Sequence, residues 1–341
     1  MTSPTTQSST TLPTRDLPTL DLPGLARPLS RLVLGTMTFG DTVDVDTART
    51  MVDTAIEAGI TSIDTANGYA AGRSEEMLAE ILVGRRDAVT IATKAGIYPG
   101  DAGSSPLLSA AGLRSSLEAS LRRLRTDHVD VYYLHQPDRS VPIAETVAAL
   151  DDLVTAGKVR AIGISNYSAW QIGDVFAACD ALGTARPVLA QQLYNLVARR
   201  IEAEYAEFAT TKGLATIVYN PLGGGLLTGR HSFAESPGEG RFGSSALASM
   251  YKDRYWNVET FAVIEALGAI ASEAGITLPE LSLRWLLSKP VVSSVLLGGS
   301  KPHQLEANIT AAQAGPLPDD VVAACDEAGL AIAGSMPGYN R

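Results

Sequence analysis

Four residues within the first 135 positions, Asp64, Tyr69, Lys94 and His135, could work as one chemical unit. The stretch TSIDTANGYAAGRSEEML (61–78) ends an apolar run on an acid and then carries a phenol on a glycine-containing loop. A tyrosine, with an ordinary pKa near ~10, is a poor acid at neutral pH. An ammonium beside it stabilises the phenolate and lowers that value. A buried carboxylate in turn keeps the ammonium charged and in place. Asp64 is therefore expected to hold Lys94, Lys94 to tune Tyr69, and His135 to donate a hydrogen bond that orients a substrate oxygen. Such a set suits protonation of a carbonyl oxygen while something else attacks the carbonyl carbon. Taken singly, each residue has an ordinary structural role open to it: a loop cap, an ion pair, a hydrogen-bonded histidine, an exposed aromatic.

Their placement argues for chemistry. Short β-branched runs recur at 31–36, 61–64, 89–94, 129–135, 159–165, 188–194, 216–220 and 293–298. Most are continuously apolar, as buried parallel strands are. Between them lie helical patterns such as Ala48, Met51, Val52, Ala55 and Ile56, closed by Gly59, and Ala110, Leu113, Leu117, Leu121 and Leu124. Eight strands each followed by a helix read as a (β/α)₈ TIM barrel, with a doubly wound sheet as the alternative, because periodicity does not show closure. Barrel active sites lie at the C-terminal ends of the strands. Those ends carry Asp64, Lys94, His135, Ser165-Asn166, Gln191 with Asn195, and Tyr219-Asn220. After the seventh strand the chain is glycine-rich and irregular from Leu222 to Trp256, and a long loop in that position is usually functional.

Composition narrows the partners. The chain has 341 residues, 45% apolar and 19% charged, with a formal net charge of −10. That balance disfavours general binding to nucleic acid or to a membrane surface. No apolar run approaches the ~18 residues of a membrane span. Cys179 and Cys325 lie far apart and read as free thiols in a reducing compartment. Residues 1–26, rich in Ser, Thr and Pro, read as a disordered leader without signal-peptide order, and 27–341 as a single barrel domain. A cytoplasmic location is the expectation.

The segments LGTMTFG, IDTANGYAAGRSEE, TIATKAG, VDVYYLHQPD, GKVRAIGISNY, QQLYNL, YNPLGGGLLTGR and LLGGSKPHQLEANI, spanning 34–309 in order, resemble the aldo-keto reductase superfamily. The resemblance carries a catalytic tetrad onto Asp64, Tyr69, Lys94 and His135. It implies direct hydride transfer between a nicotinamide cofactor, usually NADPH, and a small-molecule carbonyl, with no metal. By the same resemblance Ser165, Asn166 and Gln191 would hold the nicotinamide amide and Tyr219 would stack on the ring. Asn220, Pro221, Leu222 and Gly224, with Arg230, would cradle the pyrophosphate, Arg241 in the same loop would close over it, and Gly35, Thr36, Met37 and Asp64 would also line the cofactor. Gly298, Gly299, Ser300 and Lys301 open a helix suited to a phosphate, the 2′-phosphate of NADPH. Gln304 and Asn308 resemble adenosine contacts.

Later features, including GRF, YKDRYWN and the C-terminal PGYNR, look like the branch that reduces aflatoxin dialdehyde and succinic semialdehyde, which is typically dimeric. That branch would place Met37, Tyr69, Trp256 and Arg341 around the substrate, with Arg254 as a further candidate and an arginine pairing a substrate carboxylate. Phe39, in an opening TMTFG more typical of the wider superfamily, is also expected at the substrate. Asn67-Gly68 departs from the branch, where bulkier apolar residues are usual, and suggests a roomier, more polar pocket. GEGRFG (238–243) matches GxGxxG but follows no strand, so it is not a dinucleotide fingerprint. Two other readings compete: a cofactor-binding regulatory or redox-sensing subunit of the same fold with little turnover, and a barrel hydrolase using His135 and Asp64, which would need a metal cluster.

Overall fold

The computed structural model of the chain describes residues 18–332, apart from 236, 239 and 246, together with 334 and 339. It opens with an antiparallel ribbon of β1 (Thr19–Leu20) and β2 (Leu29–Ser30). Eight parallel strands follow: β3 (Leu32–Gly35), β4 (Ser62–Asp64), β5 (Thr90–Ala95), β6 (Val129–Leu134), β7 (Val159–Ser165), β8 (Leu189–Leu193), β9 (Ala215–Tyr219) and β10 (Ser294–Leu297). Because β10 pairs with both β9 and β3, the sheet is a closed barrel and the doubly wound alternative falls.

The helices are α1 (Val45–Glu57), α2 (Arg73–Ile81), α3 (Ala110–Leu124), α4 (Ile143–Thr155), α5 (Ala169–Leu182), α6 (Tyr205–Lys212), α7 (Ala248–Tyr255), α8 (Val258–Glu273), α9 (Leu278–Ser288), α10 (Pro302–Gln313) and α11 (Asp319–Leu330). Their apolar stripes form the layer expected from the sequence: Ala48, Met51, Val52 and Ala55 on α1, and Leu113, Leu117, Leu121 and Leu124 on α3, are all buried. Asp44 caps α1 by accepting from Thr47 N at 2.8 Å. Among the described residues no single helix is long and apolar enough to cross a membrane.

Residues 18–26 differ from the expected leader. Leu22 and Leu25 pack against a cluster of Leu29, Val33, Ala92, Val131, Tyr133, Leu189, Ala215 and Ile217. The ribbon thus covers apolar surface that would otherwise meet water, and two-residue strands carry no periodicity by which a sequence could announce them. Strand β6 shows how side chains are sorted: Val131 and Tyr133 join this cluster, while Tyr132 and Leu134 join the helix-layer core. Lys94, two residues beyond Ala92 on β5, shares the face of the first set. Its register partner Tyr133 lies against Gly163 on β7, where a Cβ would come within 2.5 Å of the ring. Glycine there leaves room for the Tyr133 ring, whose centroid lies 5.8 Å from Lys94 Nζ.

Candidate active site

Strands β4, β5 and β6 deliver Asp64, Lys94 and His135 to one end of the barrel, and the β4–α2 loop brings Tyr69. Lys94 Nζ is in direct contact with Asp64 Oδ1 and donates to Thr65 O at 2.7 Å. It lies 3.3 Å from Tyr69 Oη and 5.0 Å from the Tyr69 ring centroid. Asp64 Oδ2 accepts from Gln191 Nε2 at 2.8 Å, so both carboxylate oxygens are engaged. The rings of Tyr69 and His135 meet edge-on with centroids 6.1 Å apart. The four residues assigned from the sequence therefore converge.

Electrostatics refine the expectation. Burial alone would push the Lys94 amine down, but the Asp64 carboxylate and the Tyr69 oxygen outweigh it and hold the ammonium above its ordinary range. Burial also pushes the Tyr69 phenol up. The pull of Lys94 in the other direction does not overcome it, and Asp64 and Tyr251 add to the rise. The net shift of Tyr69 is thus opposite to the lowering expected from Lys94 alone. Desolvation, a tertiary quantity, decides it, and the phenol keeps its proton through neutral pH.

The backbone behind Tyr69 is strained. Ala70 and Ala71 both occupy the left-handed region, at φ 47° and 53°, and Gly72 follows at φ 96°. Two such alanines cost roughly 1–2 kcal/mol each, which the surrounding packing must offset. Below them Ser74 Oγ joins Thr36 Oγ1 at 2.9 Å and Thr65 Oγ1 at 3.0 Å, and donates to Thr36 O at 3.0 Å. The Thr36 hydroxyl, expected along the cofactor, thus serves this internal junction.

A second polar chain runs along β6–β9. Ser165 Oγ donates to Gln191 O at 2.9 Å, Asn166 Nδ2 to His135 O at 2.8 Å, and Tyr219 Oη to Asn166 Oδ1 at 2.7 Å. Asn166 and Asn220 are left-handed at φ 63° and 62°, a conformation asparagine tolerates. Through Gln191 this chain joins the tetrad, and Gln191 spends an N–H on Asp64 that the sequence reading gave to a nicotinamide.

Matches to known proteins bear on this arrangement. The aldo/keto reductase family matches residues 31–329. The chain belongs to the aldo/keto reductase family. It is 35% identical to aflatoxin B1 aldehyde reductase member 2 of Rattus norvegicus, covering 91% of this chain and 87% of that protein. With human aldo-keto reductase family 7 member A3 the identity is 36%, over 93% of this chain and 98% of that one. A probable voltage-gated potassium channel subunit beta of Oryza sativa subsp. japonica is 34% identical, over 85% and 89%. Membership and the aldehyde-reductase relatives assign this aldo/keto reductase to the oxidoreductases acting on carbonyls.

The loop after β9 in this aldo/keto reductase is built differently from the tetrad. Gly223, Gly224 and Gly225 are all left-handed, and a Cβ on Gly224 would come within 2.6 Å of the Tyr251 ring. Asn220 Oδ1 accepts from Gly224 N at 2.6 Å, and Asn220 Nδ2 donates to Tyr255 Oη at 2.8 Å. Arg241 reaches from this loop to Met37 after β3, with Nη1 3.8 Å from Sδ, and lies 5.5 Å from the Tyr251 ring centroid. Arg254 lies 5.9 Å from the same centroid, while Arg230 Nε donates to Thr228 Oγ1 at 3.2 Å. Tyr251, missed in the sequence, is the ring that gathers this side.

Trp256 makes its ring contacts with His231, Phe242 and Phe261. Phe39 is a correction to the substrate set: it is 0% exposed in the apolar core and bridges to Val43, so it offers no surface to a substrate in this structure. Gly35 serves packing, since a Cβ there would come within 2.2 Å of Leu296 Cδ2. At the start of α10, Ser300 N and Oγ both donate to Gln304 Oε1 at 3.2 Å, Gly299 O accepts from Thr38 Oγ1 at 2.9 Å, and Lys301 is exposed. Arg341 lies outside the described residues. Among the described residues no three His, Cys, Asp or Glu side chains gather to hold a metal, so the hydrolase reading finds no ligand set there.

Proposed function

We propose that this chain is an NADPH-dependent reductase that converts an aldehyde or ketone to an alcohol, with Tyr69 as the proton donor. The observation that carries the reading is the chain from the buried Asp64–Lys94 pair to the half-buried Tyr69, with Lys94 Nζ 3.3 Å from the phenol oxygen. When bound, the nicotinamide supplies a hydride to the carbonyl carbon. Tyr69 Oη gives its proton to the carbonyl oxygen as negative charge develops there. Lys94 stabilises the phenolate left behind, Asp64 and Gln191 hold Lys94 in place, and His135 orients the carbonyl from the other side. A phenol kept protonated by burial suits this donor role.

The residues present fit a dinucleotide. The left-handed glycines at 223–225 let a diphosphate approach the backbone, with Arg241 and Arg230 as the nearby cations. Asn166, Ser165 and Tyr219 offer polar and aromatic contacts for the nicotinamide end, and Met37 lies beneath Arg241. The N-terminus of α10, with Ser300 and Lys301, suits a 2′-phosphate, which is why NADPH rather than NADH is proposed; Gln304 and Asn308 stand beside it for the adenosine. Met37, Trp256 and Arg254 are the proposed substrate contacts. A homodimer, which rests on the resemblance, and a cytoplasmic setting, which rests on the composition, belong to the same reading.

The test is Tyr69→Phe. Turnover of 4-nitrobenzaldehyde is expected to fall by about a thousandfold while NADPH still quenches intrinsic fluorescence with its original affinity. Near-normal turnover in the variant removes Tyr69 from the chemistry. Negligible turnover in the wild type, with NADPH bound, points instead to a cofactor-binding subunit.

A further inference from the structure

The pair Asn67-Gly68 was expected to make the pocket roomier and more polar, but the structure sends it elsewhere. Asn67 is fully buried, and its Nδ2 donates to Asp101 Oδ2 at 3.0 Å. A Cβ on Gly68 would come within 2.8 Å of Tyr98 Cβ, so the glycine admits Tyr98 against the loop. Asp101 is then gripped by Arg123, in the last turn of α3: Nη1 reaches Oδ1 at 2.9 Å and Nη2 reaches Oδ2 at 2.7 Å. The third arm of the same guanidinium, Nε, donates to Glu75 Oε2 at 2.7 Å. Glu75 Oε1 accepts from Thr93 Oγ1 at 2.6 Å, and Thr93 precedes Lys94 on β5. A closed ring results: Lys94, Thr93, Glu75, Arg123, Asp101, Asn67 and, one residue beyond Gly68, Tyr69, which returns to Lys94.

Two features say what the ring is for. Its charges are withdrawn from water, with side-chain exposure of 0% for Glu75, 10% for Asp101 and 17% for Arg123. Burying such a set is a costly way to gain stability alone. The second feature is the strain: the left-handed run from Ala70 to Gly72 lies between the ring's two anchors, Asn67 and Glu75. The Arg123 side chain also fills the space beside Gly72, where a Cβ would come within 2.7 Å of both Cδ and Nε.

We propose that Arg123 is a positioning residue for Tyr69: its fork on Asp101 and its bond to Glu75 hold the strained turn so that the phenol stays against Lys94. This inference rests on the reading of Tyr69 as proton donor. Without the clamp the turn relaxes toward ordinary φ and carries the phenol with it. A displacement of about an ångström costs on the order of a hundredfold in rate. Lysine cannot replace the fork, because an ammonium lacks the planar bidentate geometry that grips one carboxylate while a third N–H serves another.

The experiment compares full-length wild type with Arg123→Lys, Arg123→Met, Asp101→Asn and, as a control, Tyr69→Phe. All are assayed with NADPH and 4-nitrobenzaldehyde and normalised to NADPH-binding sites. Expected is a kcat lowered about tenfold in Arg123→Lys and Asp101→Asn and about a hundredfold in Arg123→Met, with the KM for aldehyde and the Kd for NADPH within about twofold of wild type. A merely structural clamp would lower the number of binding sites and the Tm but leave kcat per site unchanged, and that result overturns the proposal. Equal losses in kcat and in NADPH affinity overturn it as well. If Arg123→Met does not fold, Arg123→Lys and Asp101→Asn, which keep most of the volume, decide. Turnover surviving in Tyr69→Phe defeats the reading of Tyr69 whatever the Arg123 series gives; an inactive Tyr69→Phe beside unchanged Arg123 and Asp101 variants defeats only the positioning role.

Discussion

The two halves of the barrel mouth are held by different physics. On the β4–β6 side, charges and hydroxyls are buried and bonded to one another, from Thr93 through Glu75, Arg123 and Asp101 to Asn67, and from Lys94 to Asp64 and Gln191. On the β9 side, glycines turn the chain and aromatic rings gather it: Phe242, Tyr251, Tyr255, Trp256, Phe261 and His231 meet in a continuous cluster, with arginines laid on Tyr251. Directional bonds fix a position to fractions of an ångström. Ring contacts and a glycine backbone tolerate sliding, and sliding is what a loop must do to admit and release a ligand. The difference separates a region that fixes the proposed proton donor from one with the freedom to close over the proposed cofactor.

Substitutions on the two sides should therefore behave differently. The largest expected effect is Lys94→Met, which leaves Asp64 buried without its cation and should cost about 3–5 kcal/mol of unfolding free energy by chemical denaturation. By contrast Arg241→Met removes a half-exposed contact on a ring and should cost no more than about 1 kcal/mol. Equal losses would erase the distinction. Next is Gly224→Ala, where both the left-handed φ and the Tyr251 ring oppose a Cβ. It should weaken NADPH binding about tenfold, the equivalent of ~1.4 kcal/mol, with kcat at saturation little changed. A fall in kcat with unaltered affinity would mean that the loop, too, positions the chemistry. A smaller effect, of opposite sign, is expected for Ala71→Gly: glycine accepts φ 53° without strain, so the variant should gain about 0.5–1 kcal/mol of stability. No gain in Tm would mean that the turn carries less strain than its dihedrals imply.

The smallest effect concerns His231, whose pKa is lowered by burial among the rings and by Arg230. Because the folded value lies below the unfolded one, the unfolded loop binds the extra proton more readily. The stabilisation is complete above the unfolded pKa of about 6.5 and is lost as the pH falls below it. Hydrogen-exchange protection factors in the loop after β9, corrected for the intrinsic pH dependence of exchange, should fall modestly on acidification, and His231→Phe should abolish the change. An identical pH response in that variant would place the sensitive group elsewhere.

Much of this was legible from residue order. Most of the barrel strands are largely apolar on both faces, and every run read from the sequence lies within two residues of an observed strand. Asp64, Lys94 and His135 could be paired because each ends such a run, and Tyr69 because its loop must return over the mouth. What stayed hidden depends on three-dimensional surroundings. Phe39 was expected at the substrate and proved to be core. The net rise of Tyr69 depends on burial, which no spacing reveals. Asn67 read as pocket-lining because only its type was visible, whereas its partner Asp101 lies 34 residues away and Arg123 lies 48 from Glu75. Glu75 lies in the first turn of α2 and is buried, and an acid so placed must find a cation, but its burial is visible only in the structure.

The proposed reading is that a half-buried, protonated Tyr69 beside Lys94 supplies the proton. Its most direct test is the single-turnover rate of NADPH oxidation with 4-nitrobenzaldehyde, followed from about pH 6 to about pH 11 in wild type and Tyr69→Phe. The expected wild-type rate is flat through neutrality and falls only above the ordinary tyrosine range, because the acid must hold its proton and its pKa is raised; the variant should be slow at every pH. A wild-type rate already falling between about pH 6 and about pH 8, or an alkaline limb that persists unchanged in Tyr69→Phe, would contradict it.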